Sequence, residues 1–451
     1  MKKEISSLHL KHNKNTAGCA PVRVETPAEV ILPMKMHSGH DAEPIVSVGD
    51  HVKVGQLIAR EEGRFSAPVH ASVSGTVVEI APISTNGGKK SLAIRIESDG
   101  KMEVDETIAP PVITDSASFL QAVRNSGLVG LGGAAFPTWA KLNEVTNPEY
   151  KVDTVIVNAA ECEPYITSDH RMMLEHPELI AEGIEYLRKY MNEYFGNAIF
   201  KICIEDNKPD AIELLKKTFE GKEHVAVVKL NSVYPQGAKQ VALYHTTVRI
   251  AIAGRRFPSF GAMIINVSTL AKMAEYLNTG MPLVERIVTV DGPAVEKPMN
   301  FIVPLGMRIS ELLKITGLKS EPGKIVIGGP MNGTAIYSAE HPVIKIANAV
   351  LVFDEKSAVL PEATACINCG RCIEKCPVGI TVSDVDRAMR IKDNEEKAQA
   401  IIDTGVRQCV DCACCSYVCP AHRPLLKYNW DAKSFLKRYA EEKKEKEGGN
   451  K

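Results

Sequence analysis

Cys366-Ile-Asn-Cys369-Gly-Arg-Cys372-Ile-Glu-Lys-Cys376-Pro377 and Cys409-Val-Asp-Cys412-Ala-Cys-Cys415-Ser-Tyr-Val-Cys419-Pro420 are two copies of one pattern, offset by 43 residues. Three thiols at two-residue gaps curl around one face of a cubane iron–sulfur cluster. The fourth, set before a chain-breaking proline, points towards the neighbouring cluster. The spacing therefore predicts crossed ligation. One [4Fe-4S] cluster falls to Cys366, Cys369, Cys372 and Cys419, and the other to Cys409, Cys412, Cys415 and Cys376. Structural zinc is the competing reading, because four thiolates also suit a tetrahedral ion. Zinc modules pair short knuckles across a longer loop, whereas each copy here closes within eleven residues. Cys414 lies beside Cys415 and outside the repeat register, so it reads as a bystander. Between the copies, Val385, Ala388, Met389, Ile391, Ala398, Ile401 and Ile402 recur at helical spacing, which predicts a helical linker over Ser383–Val406.

Working outward, the rest of the chain has the composition of a soluble, multidomain protein. Its 451 residues exceed what one core supports, and 45% are hydrophobic against 24% charged. Lys+Arg 54 against Asp+Glu 55 leaves no basic excess, which argues against a nucleic-acid partner. The first fifteen residues lack the apolar core of a secretion signal, and no stretch approaches the ~20 apolar residues of a membrane span. A cytosolic or peripheral location is expected. Twelve cysteines in such a chain point to metal or redox chemistry rather than disulfides.

Electron carriers need a donor or acceptor, and the run Asn125-Ser-Gly-Leu-Val-Gly130-Leu-Gly132-Gly133-Ala-Ala-Phe136-Pro137-Thr138-Trp139-Ala-Lys141 is the best candidate site. Its glycines let backbone N–H groups approach a phosphate, and the short helix expected after them adds a favourable dipole. Gly130-x-Gly132-x-x-Ala135 satisfies the dinucleotide fingerprint, but that fingerprint should follow a strand, and Ala117–Arg124 reads as helix. A purely structural glycine turn stays open on these residues alone. The β-branched run Val152–Val157 predicts the next strand. It ends in Asn158-Ala-Ala-Glu161-Cys162-Glu163-Pro164, whose polar groups would sit at a strand C-terminus or form a plain polar loop.

The glycine run, Asn158-Ala-Ala-Glu-Cys-Glu-Pro and the paired cysteine motifs together resemble the RnfC family, the electron-input subunits of Rnf ion-translocating complexes. The glycine region is also similar to the NADH-binding flavoprotein subunit of respiratory complex I. The resemblance implies a non-covalent FMN cradled by Gly130, Gly132, Lys141, Asn158 and Glu161, with Asn266 and Thr269 closing the phosphate side. It implies that Gly133, Phe136 and Glu163 face NADH. It further implies membrane subunits of the complex and ferredoxin or another redox protein as partners, and docking at the cytoplasmic face of the membrane. Ala135 and Trp139 depart from the family pattern, and Tyr234-Pro-Gln-Gly237-Ala-Lys239-Gln240 lacks the glutamate that the family carries before this lysine. Two other readings are a soluble RnfC-like reductase serving another acceptor, such as cobalamin or an amino-acid reductase, and a relay adaptor without flavin chemistry.

Val46–Ile58 and Ser66–Val77 read as short strands with glycine turns, as in a biotinyl/lipoyl barrel-sandwich hybrid. Met34-Lys35-Met36 looks like a biotin acceptor but lies outside the hairpin tip where a carrier lysine belongs. His37 and His40 read as a solvated loop and are left unassigned. Arg286–Pro293, Phe301–Gly306 and Gly328–Gly333 resemble the SLBB β-grasp module. The expected fold is multidomain α/β and α+β. The barrel-sandwich covers 1–112, a Rossmann-like FMN/NADH domain 113–280, the β-grasp 281–354, a helical two-[4Fe-4S] ferredoxin-like domain 355–435, and a charged tail 436–451.

Overall fold

The computed structural model describes residues 5–84 and 90–448. They form two compact units whose segments alternate along the chain. The larger contains 12–230 and 256–359, and the smaller 1–11, 231–255 and 360–451.

The larger unit begins with two packed sheets of the barrel-sandwich type. Glu29–Pro33, Lys90–Ser98, Gly75–Ser84 and His51–Val52 form one, and Glu43–Pro44, Leu57–Arg60 and Val69–His70 the other. Val30, Leu32, Met34, Met36, Ile58, Val69, Val77, Ile94 and Ile96 fill the space between. Met34 and Met36 are core residues, and Lys35 pairs with Asp41 at 3.1 Å, so this triplet is no carrier tip. His37 does not sit in a solvated loop as expected. It is buried, with Nε2 3.1 Å from the Ser66 hydroxyl, and burial pulls its pKa down to about 4.

A four-stranded, all-parallel sheet follows, in the order Val225–Leu230, Ile199–Glu205, Thr154–Ala159, Ala262–Asn266. The central strand, Thr-Val-Ile-Val-Asn-Ala, has five of its six residues buried, the continuous apolar pattern of a strand covered on both faces. Asp115 caps Ser116–Asn125 through a reciprocal bond pair with Ser118. Asn266 caps Val267–Thr279 by accepting the Thr269 N–H, and Gly280 ends that helix at φ +79°. A side chain there is excluded twice, since a Cβ on Gly280 would fall 2.1 Å from the Ala109 carbonyl oxygen.

The third layer is a mixed six-stranded sheet ordered Val22–Arg23, Met299–Pro304, Glu285–Asp291, Ala349–Asp354, Pro322–Ile327, Thr334–Ile336. The helix Ile309–Thr316 buries Ile309, Leu312 and Leu313 against it. Its edge strand Val22–Arg23 comes from the N-terminal segment, pairing in parallel with Phe301 and Ile302.

In the smaller unit, the linker between the cysteine motifs is two helices, Val382–Met389 and Asn394–Asp403. Val385, Ala388, Ala398 and Ile401 face a shared core with Leu425, Ala432 and Leu436 of the long helix Leu425–Gly448. Helix continues through Leu436–Gly448, the part read as a charged tail. Leu8 and Tyr234 exchange two backbone hydrogen bonds of 2.8 Å, which ties the N-terminal segment to the Tyr234-Pro-Gln-Gly run.

Candidate functional site

In the larger unit the glycine run folds back on itself. The Gly130 N–H donates to the Phe136 carbonyl at 2.9 Å, the Ala135 N–H to the Gly130 carbonyl at 3.1 Å, and the Thr138 N–H to the Leu128 carbonyl at 3.0 Å. This closed loop carries an exposed tip, Gly132–Ala134, and feeds the helix Thr138–Val145, on which Lys141 is half-buried. Its base is fastened to the capped helix, because the Leu131 N–H donates to the Thr269 hydroxyl at 2.9 Å and that hydroxyl donates to Asn266 Oδ1 at 3.2 Å. A Cβ on Gly132 would lie 3.1 Å from Asn266 Nδ2, so glycine permits this close approach.

Asn158 and Asn266 are register partners at the C-terminal ends of adjacent parallel strands, the end where open α/β sheets gather ligand groups. Gly130, Gly132, Asn158, Asn266 and Thr269 therefore converge on one sheet edge. FMN fits there on two counts. The tip is open, since a Cβ on Gly133, at φ +103°, meets nothing within 4 Å, and the adjoining helix N-terminus suits a phosphate.

The other proposed residues take separate positions. Phe136 is half-buried, its ring 5.4 Å from that of Phe65. Glu161, at φ +47°, turns its carboxylate onto the helix Ser168–Glu175. It accepts the Asp169 N–H at 2.6 Å and the His170 N–H at 3.1 Å. Glu163 reaches the turn after the strand Pro322–Ile327, accepting the Met331 N–H at 3.1 Å.

Four further side chains were not singled out from sequence. Lys14 donates to the carbonyls of Glu161, Glu163 and Ile166 at 2.8, 2.8 and 2.5 Å, using its whole ammonium to hold the loop. Asp169 accepts from Asn266 Nδ2 at 2.7 Å and from the Ser268 hydroxyl. Arg286, buried, donates to the Lys345 carbonyl and, at 3.4 Å, to the Leu131 carbonyl in the glycine loop. Lys208 pairs with Glu205 at 3.3 Å and donates to the Ala160 carbonyl at 2.7 Å. Burial raises the pKa of Glu161 to about 7, against the opposing pull of Lys14, and pushes Lys14 down. Burial likewise raises Asp169 and lowers Arg286 to about 10.

In the smaller unit the two cysteine motifs share a backbone. Left-handed residues recur at Asn368 and Asp411, Gly370 and Ala413, and Gly379 and His422, each pair 43 apart. Short helices, Arg371–Glu374 and Cys414–Tyr417, follow at the same offset. Cys366, Cys369, Cys372 and Cys419 line one cavity of about 350 Å³, so the last cysteine of the second copy lies with the first three of the first. The Cys415 thiol is within electrostatic reach of Cys412, Cys409 and Cys376. All eight are free thiols, a donor chemistry that fits cubane clusters. Cys366 and Cys369 are exposed, while Cys412 and Cys415 are buried. Cys414 is fully buried and hydrogen-bonded to Cys412.

Three stretches of the chain match known domain families. Residues 5–101 match the RnfC barrel sandwich hybrid domain, 123–275 the Nuo51 FMN-binding domain, and 362–423 the 4Fe-4S dicluster domain. An RnfC-type relative from Acetobacterium woodii, a subunit of its Na(+)-translocating ferredoxin:NAD(+) oxidoreductase complex, is 36% identical over 82% of this chain and 84% of its own. The corresponding subunit of the proton-translocating ferredoxin:NAD(+) oxidoreductase complex of Clostridium ljungdahlii is 37% identical over 83% and 82%. Its counterpart in the ion-translocating oxidoreductase complex of Yersinia enterocolitica is 35% identical over 83% of this chain, which spans 53% of that protein. Among solved structures, a NAD+-reducing [NiFe]-hydrogenase chain overlaps at TM-score 0.44 and 17% identity, covering 67% of this chain and 59% of its own. This chain therefore belongs to the RnfC family of electron-transfer oxidoreductase subunits, with FMN and [4Fe-4S] clusters as its cofactors.

Proposed function

We propose that the chain is the electron-input subunit of a membrane-associated Rnf-type complex, passing electrons between NAD(H), FMN and two [4Fe-4S] clusters while other subunits translocate ions. The observation that carries this reading is the presence in one chain of an open glycine loop at a parallel-sheet edge and eight free thiols on a twice-repeated backbone. When bound, FMN exchanges the two electrons of a hydride for the single electrons that iron–sulfur clusters accept.

The chain's own residues divide the remaining work. Gly130 closes the loop, and Gly132 at its exposed tip gives the phosphate access to backbone N–H groups. Asn266 and Thr269 hold the loop on the helix N-terminus, and Lys141 and Asn158 flank the cradle. Glu161 anchors the floor through the Asp169 and His170 amides, with Gly133, Phe136 and Glu163 on the NADH side. Cys366, Cys369, Cys372 and Cys419 ligate the first cluster, and Cys409, Cys412, Cys415 and Cys376 the second. Among the described residues no helix is long and apolar enough to cross a membrane, and in this proposal the chain docks on the cytoplasmic face through the membrane subunits. Ferredoxin or another redox protein exchanges electrons with the assembled complex.

Iron analysis and electron paramagnetic resonance (EPR) of the reconstituted chain test the ligand sets. Cys369→Ser and Cys419→Ser should each remove one and the same cluster signal, and Cys412→Ser the other. Full retention of about eight iron atoms per chain in Cys369→Ser would refute the assignment.

A further inference from the structure

Asn429 sits on the long helix Leu425–Gly448, 1% exposed, between the core residues Leu425 and Ala432. Its Nδ2 donates to Cys409 Sγ at 3.4 Å, while its Oδ1 is buried without a hydrogen-bond partner among the described residues. Burying an amide with one end unpaired is costly, and an apolar side chain would fill this helix position without that penalty. One turn on, Lys433 donates to the Cys409 carbonyl at 2.8 Å and to Asp411 at 2.8 and 3.0 Å, fixing the turn that presents the sulfur. The corresponding cysteine of the first copy has a different environment. Cys366 is exposed, and its sulfur contacts stay inside its own turn, with the Asn368 N–H at 3.4 Å.

We propose that Asn429 is a positioning and tuning residue for the second cluster, its side-chain N–H raising that cluster's reduction potential through the Cys409 sulfur. The inference rests on the reading of Cys409 as a cluster ligand. One-electron reduction adds negative charge that spreads onto the cysteine sulfurs, and an N–H aimed at one of them stabilises the reduced form more than the oxidised form. Because Asn429 belongs to the helix that closes the core, its donor is held in place before the electron arrives. The two clusters, built on the same repeated backbone, are thereby made unequal.

An EPR-monitored redox titration of the full, reconstituted chain tests this, with the second cluster read in a Cys369→Ser background and the first in a Cys412→Ser background. Asn429→Leu and Asn429→Ala should each lower that cluster's midpoint and leave the first cluster's midpoint unmoved. Independently of any variant, unmutated protein labelled with 15N-asparagine should show a nitrogen hyperfine coupling in the second cluster's signal. An unmoved second midpoint, equal shifts of both clusters, or absence of the coupling would overturn the inference while leaving the ligand sets intact. If Cys409→Ser removes neither signal, the ligand reading fails and this inference with it.

Discussion

Gly132 approaches Asn266 so closely that its substitution is the sharpest residue-scale probe of the flavin cradle. A methyl group 3.1 Å from Asn266 Nδ2 would make the Asn266 amide, which holds the loop, give by a few tenths of an ångström. Gly132→Ala is expected to weaken FMN binding about tenfold, or ~1.4 kcal/mol, measured by flavin fluorescence titration. Lys14 acts from below. Lys14→Met leaves three loop carbonyls without their shared donor, with an expected loss of about 2 kcal/mol in denaturant unfolding and lower FMN retention on purification. Glu161 gives the pH dependence. Its folded pKa is raised from the ordinary 4.5 to about 7, so the folded state holds this proton more tightly than the unfolded chain. That contribution to stability is complete below pH 4.5 and is lost as pH rises through about 7. Across this window Glu161→Gln should flatten the decline seen in chemical unfolding. Lys14, shifted down, acts only above about pH 8.

At the scale of elements, the duplicated cysteine motif was the most legible feature, because cluster ligation imposes spacing that survives in a linear string. The shared left-handed positions give that spacing its backbone form, and Ala413 occupies one where the first copy has Gly370. Ala413→Gly should relieve strain and stabilise the smaller unit by roughly 0.5–1 kcal/mol in unfolding experiments, with both cluster signals retained. The helix Ser116–Asn125 was also readable as an element, and the strand Thr154–Ala159 from its β-branched run. The loop's attachments were not. Thr269 and Leu131 are far apart in sequence, and nothing in a lone lysine such as Lys14 announces three carbonyl partners. The expected solvated His37 failed for a related reason, since its partner Ser66 comes from a distant loop.

Across the whole molecule, the chain's path matters more than a linear series of domains suggests. Residues 12–23 supply Lys14, the Thr16 hydroxyl bonded to Thr167 at 2.5 Å, and the edge strand Val22–Arg23, while 1–11 and 231–255 belong to the unit that carries the cysteines. The N-terminal segment is thus part of both units. Replacing 12–23 by a glycine–serine linker of equal length, with 1–11 kept, should reduce FMN content while the two cluster signals remain, because the described ties of 12–23 run to the larger unit. Hydrophobic periodicity finds elements, but it carries no record of which distant segment will complete a sheet edge.

The most direct test of the account is an anaerobic titration of purified protein carrying FMN and both clusters with NADH, followed by flavin absorbance. The account predicts that NADH bleaches the bound flavin and that Gly132→Ala, matched for cluster content, loses this response in proportion to its lost FMN. A bound flavin that dithionite bleaches but NADH leaves unchanged would contradict it.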